Sequence, residues 1–302
     1  MKIGLVTVTF NSEEVLPDFL DSVSAQTHDN YTLYVVDNAS VDKTLEGLRY
    51  FPKEKIHITP NKDNLGVAAG NNQGIEQALA DGCDYVLLIN NDTLFEDQLL
   101  EKSLSVSLTQ KNSMVVPKMM YHDQPNMIWY AGGFFDKKKA YLNFHRGQHE
   151  LDKGQYLESL DVDYAPTCCV LIHKKVFHDI GMMDERYFVY FDDADFFFRV
   201  MKDGRHKLRY FHDIEFYHKI GSLTKSRLED RPVKYGDFFL QQMTKNHVVF
   251  LKKQKNIEAY FFVVFLWFYF TLRFFFNKRI VRNFKTFKLI QKSYFKGLLL
   301  KV

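Results

Sequence analysis

Cysteine, tryptophan and proline are scarce in this chain, which holds three, two and seven of them among 302 residues. Cys83 stands alone and Cys168 is adjacent to Cys169, so there is neither an even set for a disulfide framework nor the CxxC spacing of a zinc site. With only 15 glycines, a collagen-like or low-complexity chain is also excluded. The N-terminal segment turns polar at Asn11, before a signal peptide's apolar stretch could form. These absences predict a globular protein of the reducing cytoplasm.

Charge is divided unevenly along the chain. The first 251 residues carry 28 lysines and arginines against 36 acids, whereas the last 51 residues carry 12 basic residues against Glu258 alone. The net charge of +3 therefore hides an acidic body and a basic tail. We predict one folded domain over residues 1–251 and a helical tail over residues 252–302.

The body alternates short apolar runs with amphipathic helical patterns. Strands are predicted at residues 3–10, 32–36, 56–59 and 85–89, with helices near residue 16, from about residue 43 and over 66–80. This alternation indicates an α/β fold with a mostly parallel, Rossmann-like sheet and flanking helices. Strands at 114–120, 169–173 and 207–211 and helices at 193–201 and 235–251 should complete it. Ligands of such sheets bind beyond the carboxyl ends of the strands, where this chain places Thr9, Asn11, Asp37, Asn38, Asn90 and Asp92.

Asn90, Asn91 and Asp92 directly follow the apolar run YVLLI. One carboxylate and two amide carbonyls at a strand end favour Mg²⁺ or Mn²⁺ over zinc. The same side chains are equally suited to cap the next helix, because Asn and Asp accept hydrogen bonds from free amides at a helix start. Residue chemistry alone leaves both interpretations open.

A second polar cluster lies in the segment YFDDAD, where Asp192, Asp193 and Asp195 fall within four residues at a predicted helix start. A helix N-terminus favours ionised carboxylates, and an ionised, positioned carboxylate is suited to act as a general base. Helix capping explains one such acid and leaves the other two unexplained.

Seven segments stand in the order typical of one family: VTVTFNSEEVL, YVVDNASVDKT, NLGVAAGNNQG, LLINNDT, WYAGGFFD, GMMDERYFVYFDDADFFFRV and FYHKIGS. In these segments the chain resembles the inverting family-2 glycosyltransferases of the GT-A fold, particularly the branch with rhamnosyl- and galactofuranosyltransferases. The resemblance extends from Val6 to about Leu251, which is most of the chain.

The resemblance implies a role for each matching position. A nucleoside-diphosphate sugar, either a UDP- or a dTDP-sugar, would lie against Thr9, Asn11, Asp37, Asn64, Gly66 and Asn91. Asn90 and Asp92 take the places of the family's DxD pair and His218 that of a further metal ligand, so Mn²⁺ or Mg²⁺ is the expected cofactor. Asp193 takes the place of the catalytic base.

Each of these roles has a structural alternative. Asp37 is also suited to cap its own turn, and His218 to be a buried core histidine. Asp192 is the alternative base. Asn90 stands where the family has an aspartate, and the missing anion is expected to weaken the metal site.

The tail joins an aromatic run to a basic amphipathic segment. Residues 259–272, AYFFVVFLWFYFTL, form an apolar run of 14 residues with basic residues on both sides. Because a spanning helix needs about 20 residues, this run is expected to be too short to cross a bilayer comfortably. From Ile280 onward, apolar and basic residues fall on opposite helical faces, as in helices that lie on an anionic leaflet. The alternatives are a buried core helix and a partner-binding helix. Dense phenylalanine argues against nucleic acid.

These observations predict a metal-dependent, inverting glycosyltransferase at the cytoplasmic face of the cell membrane. Its acceptor would be a lipid-linked saccharide in cell-surface polysaccharide or O-antigen synthesis. The alternative is a non-catalytic, membrane-anchored protein that binds nucleotide sugars or acts as a scaffold, and Asn90 keeps it open. An oxidoreductase is disfavoured, because TFNSEE in the first strand–helix turn lacks GxGxxG.

Overall fold

The computed structural model describes residues 1–109, 111, 113–219 and 235–302. The strands are β1 (Ile3–Thr9), β2 (Tyr31–Asp37), β3 (Ile56–Pro60), β4 (Tyr85–Ile89), β5 (Thr93–Phe95), β6 (Met114–Pro117), β7 (Met119–Tyr121), β8 (Gln124–Tyr130), β9 (Gly133–Asp136), β10 (Leu142–His145), β11 (Leu160–Val162), β12 (Cys169–His173), β13 (Leu208–Phe211) and β14 (Phe216–His218). The α-helices are α1 (Leu16–Ser24), α2 (Thr44–Leu48), α3 (Val67–Ala80), α4 (Leu99–Thr109), α5 (Lys174–Ile180), α6 (Asp192–Asp203), α7 (Asp237–Lys253), α8 (Ile257–Phe276) and α9 (Phe284–Leu299).

One eight-stranded sheet forms the centre of the body, in the order β11-β13-β6-β12-β4-β1-β2-β3. The four strands that come first in the chain, β1 to β4, run parallel to one another, as predicted. Strand β12 runs antiparallel to β4 and β6, so the second half joins the same sheet as a mixed one. β1, β2 and β4 are buried almost throughout, and α3 packs against all three.

The prediction of a single strand over residues 114–120 is wrong in one respect, because this segment forms two strands that belong to two different sheets. β6 ends at Pro117, which has no amide hydrogen to continue the ladder. β7 then pairs with β8 and β14 in a second sheet of order β5-β14-β7-β8. In that sheet His218 pairs with Thr93, one residue after Asp92. The small sheet therefore brings two residues together that lie far apart in sequence.

The tail packs against the body through α7. Lys252 in the last turn of α7 donates to the carbonyls of Leu298 at 2.5 Å and Leu300 at 2.6 Å, so it caps the end of α9. Tyr294 of α9 donates to the carbonyl of Val263 in α8 at 2.9 Å. The three helices therefore form one packed unit, and the predicted boundary at residue 252 falls inside α7.

Helix α8 is longer than the apolar run that predicted it. It has 20 residues, because it also takes in Ile257, Glu258 and the residues from Arg273 to Phe276, and an 18-residue window of it has a mean hydropathy of 1.8. By length and composition it is able to cross a membrane, contrary to the expectation from the 14-residue run. Only 28% of it is buried, so most of its aromatic surface is uncovered.

Candidate active site

Asp37 lies at the carboxyl end of β2 and is fully buried. Its carboxylate accepts hydrogen bonds from the Thr9 hydroxyl at 2.7 Å, the Ser40 amide at 2.9 Å and the Ser40 hydroxyl at 2.5 Å. Within the chain, Asp37 therefore caps its own turn, which is the structural alternative to a contact with the nucleotide. The equally buried Thr9 holds Asp37 in place, and neither side chain faces solvent.

Asn11 joins the first two strand–helix loops. Its backbone is left-handed, with φ of 52°. Its side-chain oxygen accepts from the Val41 amide at 2.9 Å, and its own amide donates to the Ser40 hydroxyl at 2.8 Å. Asn11 is exposed at the rim of the sheet, where a ligand has access to it.

The loop of Asn64 and Gly66 leads into α3. Asn64 accepts a hydrogen bond from the Gly66 amide at 2.9 Å, and the Gly66 carbonyl accepts from Asn38 at 3.0 Å. The next amide, of Val67, donates to the carbonyl of Phe188 at 2.7 Å. The predicted nucleotide loop is therefore in contact with the segment that precedes the acidic cluster.

The predicted metal ligands follow β4 and end β14. Asn90 is exposed, whereas Asn91 is buried and donates to the Val8 carbonyl at 2.7 Å. The Asn91 side-chain oxygen has no hydrogen-bond partner within the described residues. Nε2 of His218 lies 3.2 Å from Oδ1 of Asp92. Ile220, Gly221 and Ser222, which end the FYHKIGS segment, lie outside the described residues.

The Asp92–His218 pair fits a divalent cation. Two ligands on one octahedral ion lie about 3 Å apart, close to the separation of these two atoms. The His218 ring is buried edge-to-face against Trp129 at 4.6 Å, and its Nδ1 has no hydrogen-bond partner within the described residues. Among all residues that the structure describes, no group of three or more His, Cys, Asp or Glu side chains is suited to hold a metal ion. A cation here would need further oxygen ligands from Asn90 or from a bound diphosphate.

The three acids at the start of α6 lie in three different environments. Asp193 accepts from the Tyr164 hydroxyl at 2.5 Å and the Ala194 amide at 2.7 Å. Asp195 is buried against Arg199 and Lys253, 3.0 Å and 2.6 Å away, so its role is structural. Asp192 is buried beside Asp193.

Burial makes two of these carboxyls less acidic. It raises the pKa of Asp192 to about 8, and the neighbouring charge of Asp193 adds to this effect. Burial also raises the pKa of Asp193, and the hydrogen bonds from Tyr164 and the Ala194 amide oppose that rise. A carboxylate with a raised pKa is a stronger base, so Asp193 is suited to accept a proton.

The backbone before α6 is strained. Tyr190 and Phe191 both adopt left-handed conformations, with φ of 65° and 69°, which cost non-glycine residues about 1–2 kcal/mol each. Asn246 of α7 is fully buried and donates to the carbonyls of Val189 and Tyr190, both at 2.8 Å. Sequence reasoning missed Asn246, although an amide inside the apolar pattern of α7 is a signal.

Comparison with known proteins identifies relatives in one enzyme family. The family model described as "Glycosyl transferase family 2" matches residues 5–181, more than half of the chain. dTDP-rhamnosyl transferase RfbF of Shigella flexneri is 26% identical over 219 residues, which cover 72% of this chain and 69% of that protein. Poly(ribitol-phosphate) beta-glucosyltransferase of Bacillus spizizenii is 24% identical over 288 residues, covering 86% of this chain and 44% of that protein.

Solved structures share the fold. S. aureus TarS 1-349 matches with a TM-score of 0.60 at 15% identity, over 99% of this chain and 81% of that one. GalNAc-T7, solved with UDP, GalNAc and Mn²⁺, matches with a TM-score of 0.65 at 13% identity, over 97% and 54%. The GT-A fold predicted from the sequence is therefore confirmed.

The extent of these matches differs between the family model and individual relatives. The chain spans between 40% and 62% of the lengths of three curated relatives that it matches. The family model, by contrast, covers β1 to α5, which include the strand ends that carry Thr9, Asp37 and Asp92. The chain belongs to glycosyl transferase family 2.

Proposed function

We propose that this protein is an inverting glycosyltransferase that moves a sugar from a UDP- or dTDP-sugar to a saccharide hydroxyl. The observation that carries the proposal is the carboxylate of Asp193, which is half-buried, has a raised pKa and is held by two hydrogen bonds at the start of α6. The charges of Asp193 and Asp92 both add to the effect of burial in raising the pKa of the Cys168 thiol, which indicates that both acids lie near that thiol. A base and a cation-binding pair near the same buried thiol support sugar transfer.

In this proposal Asp193 removes the proton of the acceptor hydroxyl while that oxygen attacks the anomeric carbon. The attack comes from the face opposite the departing nucleoside diphosphate, so one displacement inverts the configuration. One carboxylate is sufficient, because no covalent sugar–enzyme intermediate forms. Burial supports this role by raising the pKa of Asp193.

Mn²⁺ or Mg²⁺ is the proposed cofactor. Asp92, His218 and the amide oxygen of Asn90 would hold it, and the fit of the Asp92–His218 pair supports this set. When bound, the cation would supply positive charge that stabilises the departing diphosphate. Mn²⁺ in the GalNAc-T7 structure also supports a divalent ion.

Nucleotide sugars are proposed as donors and a lipid-linked saccharide as the acceptor. RfbF is named a dTDP-rhamnosyl transferase, and a TarS structure contains UDP-GlcNAc. These names support a dTDP- or UDP-sugar that would lie near Asn11, Asn64 and Gly66. A role in cell-surface polysaccharide or O-antigen synthesis is part of the proposal, and the names of relatives such as the poly(ribitol-phosphate) glucosyltransferase support it.

We further propose that the tail binds the anionic cytoplasmic face of the cell membrane. On α8, Phe261 is 68% and Phe276 is 76% exposed. The exposed basic residues of the tail include Lys278, Arg279, Arg282, Lys285, Lys288, Lys292 and Lys296. Exposed aromatic and cationic side chains together match the chemistry of an anionic lipid surface.

The experiment measures nucleoside diphosphate released by the full-length protein from UDP-glucose, UDP-GlcNAc and dTDP-rhamnose. Water serves as the acceptor, and each reaction is run with Mn²⁺ and with EDTA. We expect turnover of at least one donor with Mn²⁺ and its loss in EDTA. The Asp193→Asn protein should bind that donor normally and turn it over about 10²–10⁴-fold more slowly.

Asp203→Asn is the matched control, because Asp203 lies at the other end of α6 beside Arg205. It should retain wild-type turnover. Turnover by Asp193→Asn within a few-fold of wild type would exclude Asp193 as the base. Donor binding by the wild type without any turnover would instead favour a non-catalytic binding protein, the alternative that the uncharged Asn90 suggests.

A further inference from the structure

The segment WYAGGFFD enters the function proposed so far only through the contact of Trp129 with His218, yet it also holds Tyr164 in place. Tyr130 of this segment donates from its hydroxyl to the carbonyl of Tyr164 at 2.7 Å. The carbonyl of Gly133 accepts from the amide of Tyr164 at 3.1 Å. The backbone of Tyr164 is thus bound on both sides by this segment.

The backbone of Gly133 lies so close to Tyr164 that there is no space for a side chain at position 133. A Cβ at this position would lie 2.5 Å from the carbonyl oxygen of Tyr164 and 2.7 Å from its ring. Contacts below 3.0 Å force the neighbouring atoms to move, and here these are the backbone oxygen and the buried ring of Tyr164. Any larger residue would therefore displace Tyr164.

The ring of Tyr164 is equally fixed. It is 3% exposed and packs edge-to-face against Phe135 and Phe197 at 5.8 Å and 6.2 Å. On another side it stacks against His145 at 5.7 Å. Since the ring is enclosed, the hydroxyl can point in one direction, and there it donates to Oδ2 of Asp193 at 2.5 Å.

We propose that Tyr164 is the positioning residue of the base, holding the Asp193 carboxylate in one orientation and stabilising its ionised form. WYAGGFFD is the scaffold that carries Tyr164 to this place. The inference rests on the proposed function, in which Asp193 takes the acceptor proton. With Oδ2 held by Tyr164 and Oδ1 by the Ala194 amide, the plane of the carboxylate is fixed before any acceptor binds.

The groups around Asp193 are consistent with this role. Titratable groups that interact electrostatically with Asp193 include Asp192 on the same helix, Tyr164, and the thiol of Cys168 before β12. Burial raises the pKa of both Tyr164 and Cys168 well above their usual values, so both stay neutral. Tyr164 therefore keeps its proton as a donor, and among these three its hydroxyl is the group that hydrogen-bonds to the Asp193 carboxylate.

Two measurements on Tyr164→Phe test the proposal. The first is the pH dependence of Mn²⁺-supported release of nucleoside diphosphate from UDP-glucose, UDP-GlcNAc or dTDP-rhamnose. We expect the midpoint of its acidic limb to rise by about one pH unit, because the ionised carboxylate loses a hydrogen bond. We expect kcat to fall while KM for the donor is unchanged. The second is a ¹³C-carboxyl NMR titration of aspartate-labelled protein without ligand, in which the Asp193 resonance is identified by its loss in Asp193→Asn. It should show the same upward shift.

Tyr210→Phe is the matched control. Tyr210 is also fully buried, and its hydroxyl donates to the carbonyl of Tyr156 at 2.9 Å, away from Asp193. It should leave both titrations unchanged. An Asp193 titration in Tyr164→Phe that matches wild type would overturn the positioning role, even if Asp193→Asn is inactive. Wild-type turnover in Asp193→Asn would overturn the proposed base instead, since the NMR titration requires no turnover.

Discussion

At the scale of single residues, the surroundings of the three aspartates at the start of α6 give them different properties. Asp195 lies between Arg199 and Lys253, Asp193 is held by a phenol and an amide, and Asp192 is buried with a raised pKa. Local sequence cannot make this distinction, because all three are aspartates within four positions. The partners that separate them are Tyr164 in the connection between β11 and β12, Arg199 on α6 itself and Lys253 on α7.

Asp192 should make the protein less stable as pH rises. Its pKa is about 8 in the folded chain against an ordinary value of 3.8, so folding favours its protonated form. Its stabilising contribution is therefore complete below about pH 4 and is lost progressively as pH approaches 8. Asp192→Asn mimics the protonated form. We expect its melting temperature, relative to wild type, to increase between pH 5 and pH 8.

Asp203→Asn serves as the control in this comparison. Arg205 lowers the pKa of Asp203, so replacing Asp203 by Asn should not raise the stability of the protein at high pH. Parallel curves of melting temperature against pH for wild type and Asp192→Asn would show that Asp192 is ionised in the folded protein.

At the scale of elements, the site depends on contacts between loops that are distant in sequence. The loop before α3 reaches the segment before α6 where the Val67 amide meets the Phe188 carbonyl. Asn246 of α7 then holds the two carbonyls that follow, those of Val189 and Tyr190. The predicted nucleotide loop and the proposed base are therefore parts of one packed assembly.

Gly66→Ala should disrupt this assembly. Gly66 has φ of +88°, and an added Cβ would lie 2.3 Å from the carbonyl oxygen of Phe188. Gly82 has nearly the same φ, +79°, with nothing within 4 Å of an added Cβ. Gly82→Ala should cost about 1–2 kcal/mol of stability from backbone strain alone. Gly66→Ala should cost more and should also weaken donor binding. Urea unfolding compares the two, and equal losses would show that the Gly66–Phe188 contact is not needed.

At the scale of the whole molecule, the tail is both part of the fold and an exposed surface. α9 packs on α7, which in turn holds the strained segment before α6 through Asn246. The outer surface of α8 remains uncovered and aromatic. Helix α7 contacts both α8 and the segment that precedes the proposed base, so it connects that surface to the site.

Binding to anionic vesicles should depend on the basic residues of α9. We expect the full-length protein to float with vesicles that contain phosphatidylglycerol, and high salt to release it only partly, because aromatic contacts persist. Replacing Lys288, Lys292 and Lys296 by Gln should lower this binding by at least tenfold, since each contributes roughly 1 kcal/mol near an anionic surface.

Lys62, Lys153 and Lys175 are exposed lysines of the body and provide a control with the same loss of charge. Replacing them by Gln should leave vesicle binding nearly unchanged. Equal losses in the two triple variants would mean that net charge, and not the tail surface, governs attraction. A wild-type protein that ignores phosphatidylglycerol vesicles would contradict the membrane proposal itself.

The sequence by itself determined the parallel strands, the polar residues at their ends and the amphipathic tail. These features follow from local periodicity and composition, because a strand buried on both faces needs an apolar run and its ligand-binding end needs polar atoms. The family was recognisable for the same reason: its motifs are short and contiguous, like NLGVAAGNNQG and YFDDAD.

Only the tertiary structure decided which side chains support the site. Tyr164 and Asp193 are 29 positions apart, and Asn246 and Tyr190 are 56 apart, so no local pattern connects either pair. A lone tyrosine in a loop carries no periodic signal, and an amide inside the apolar pattern of α7 indicates a buried polar group without identifying its partner. Their roles arise because packing brings a buried donor to a carboxylate or to strained carbonyls that would otherwise lack partners, which is a property of the folded chain.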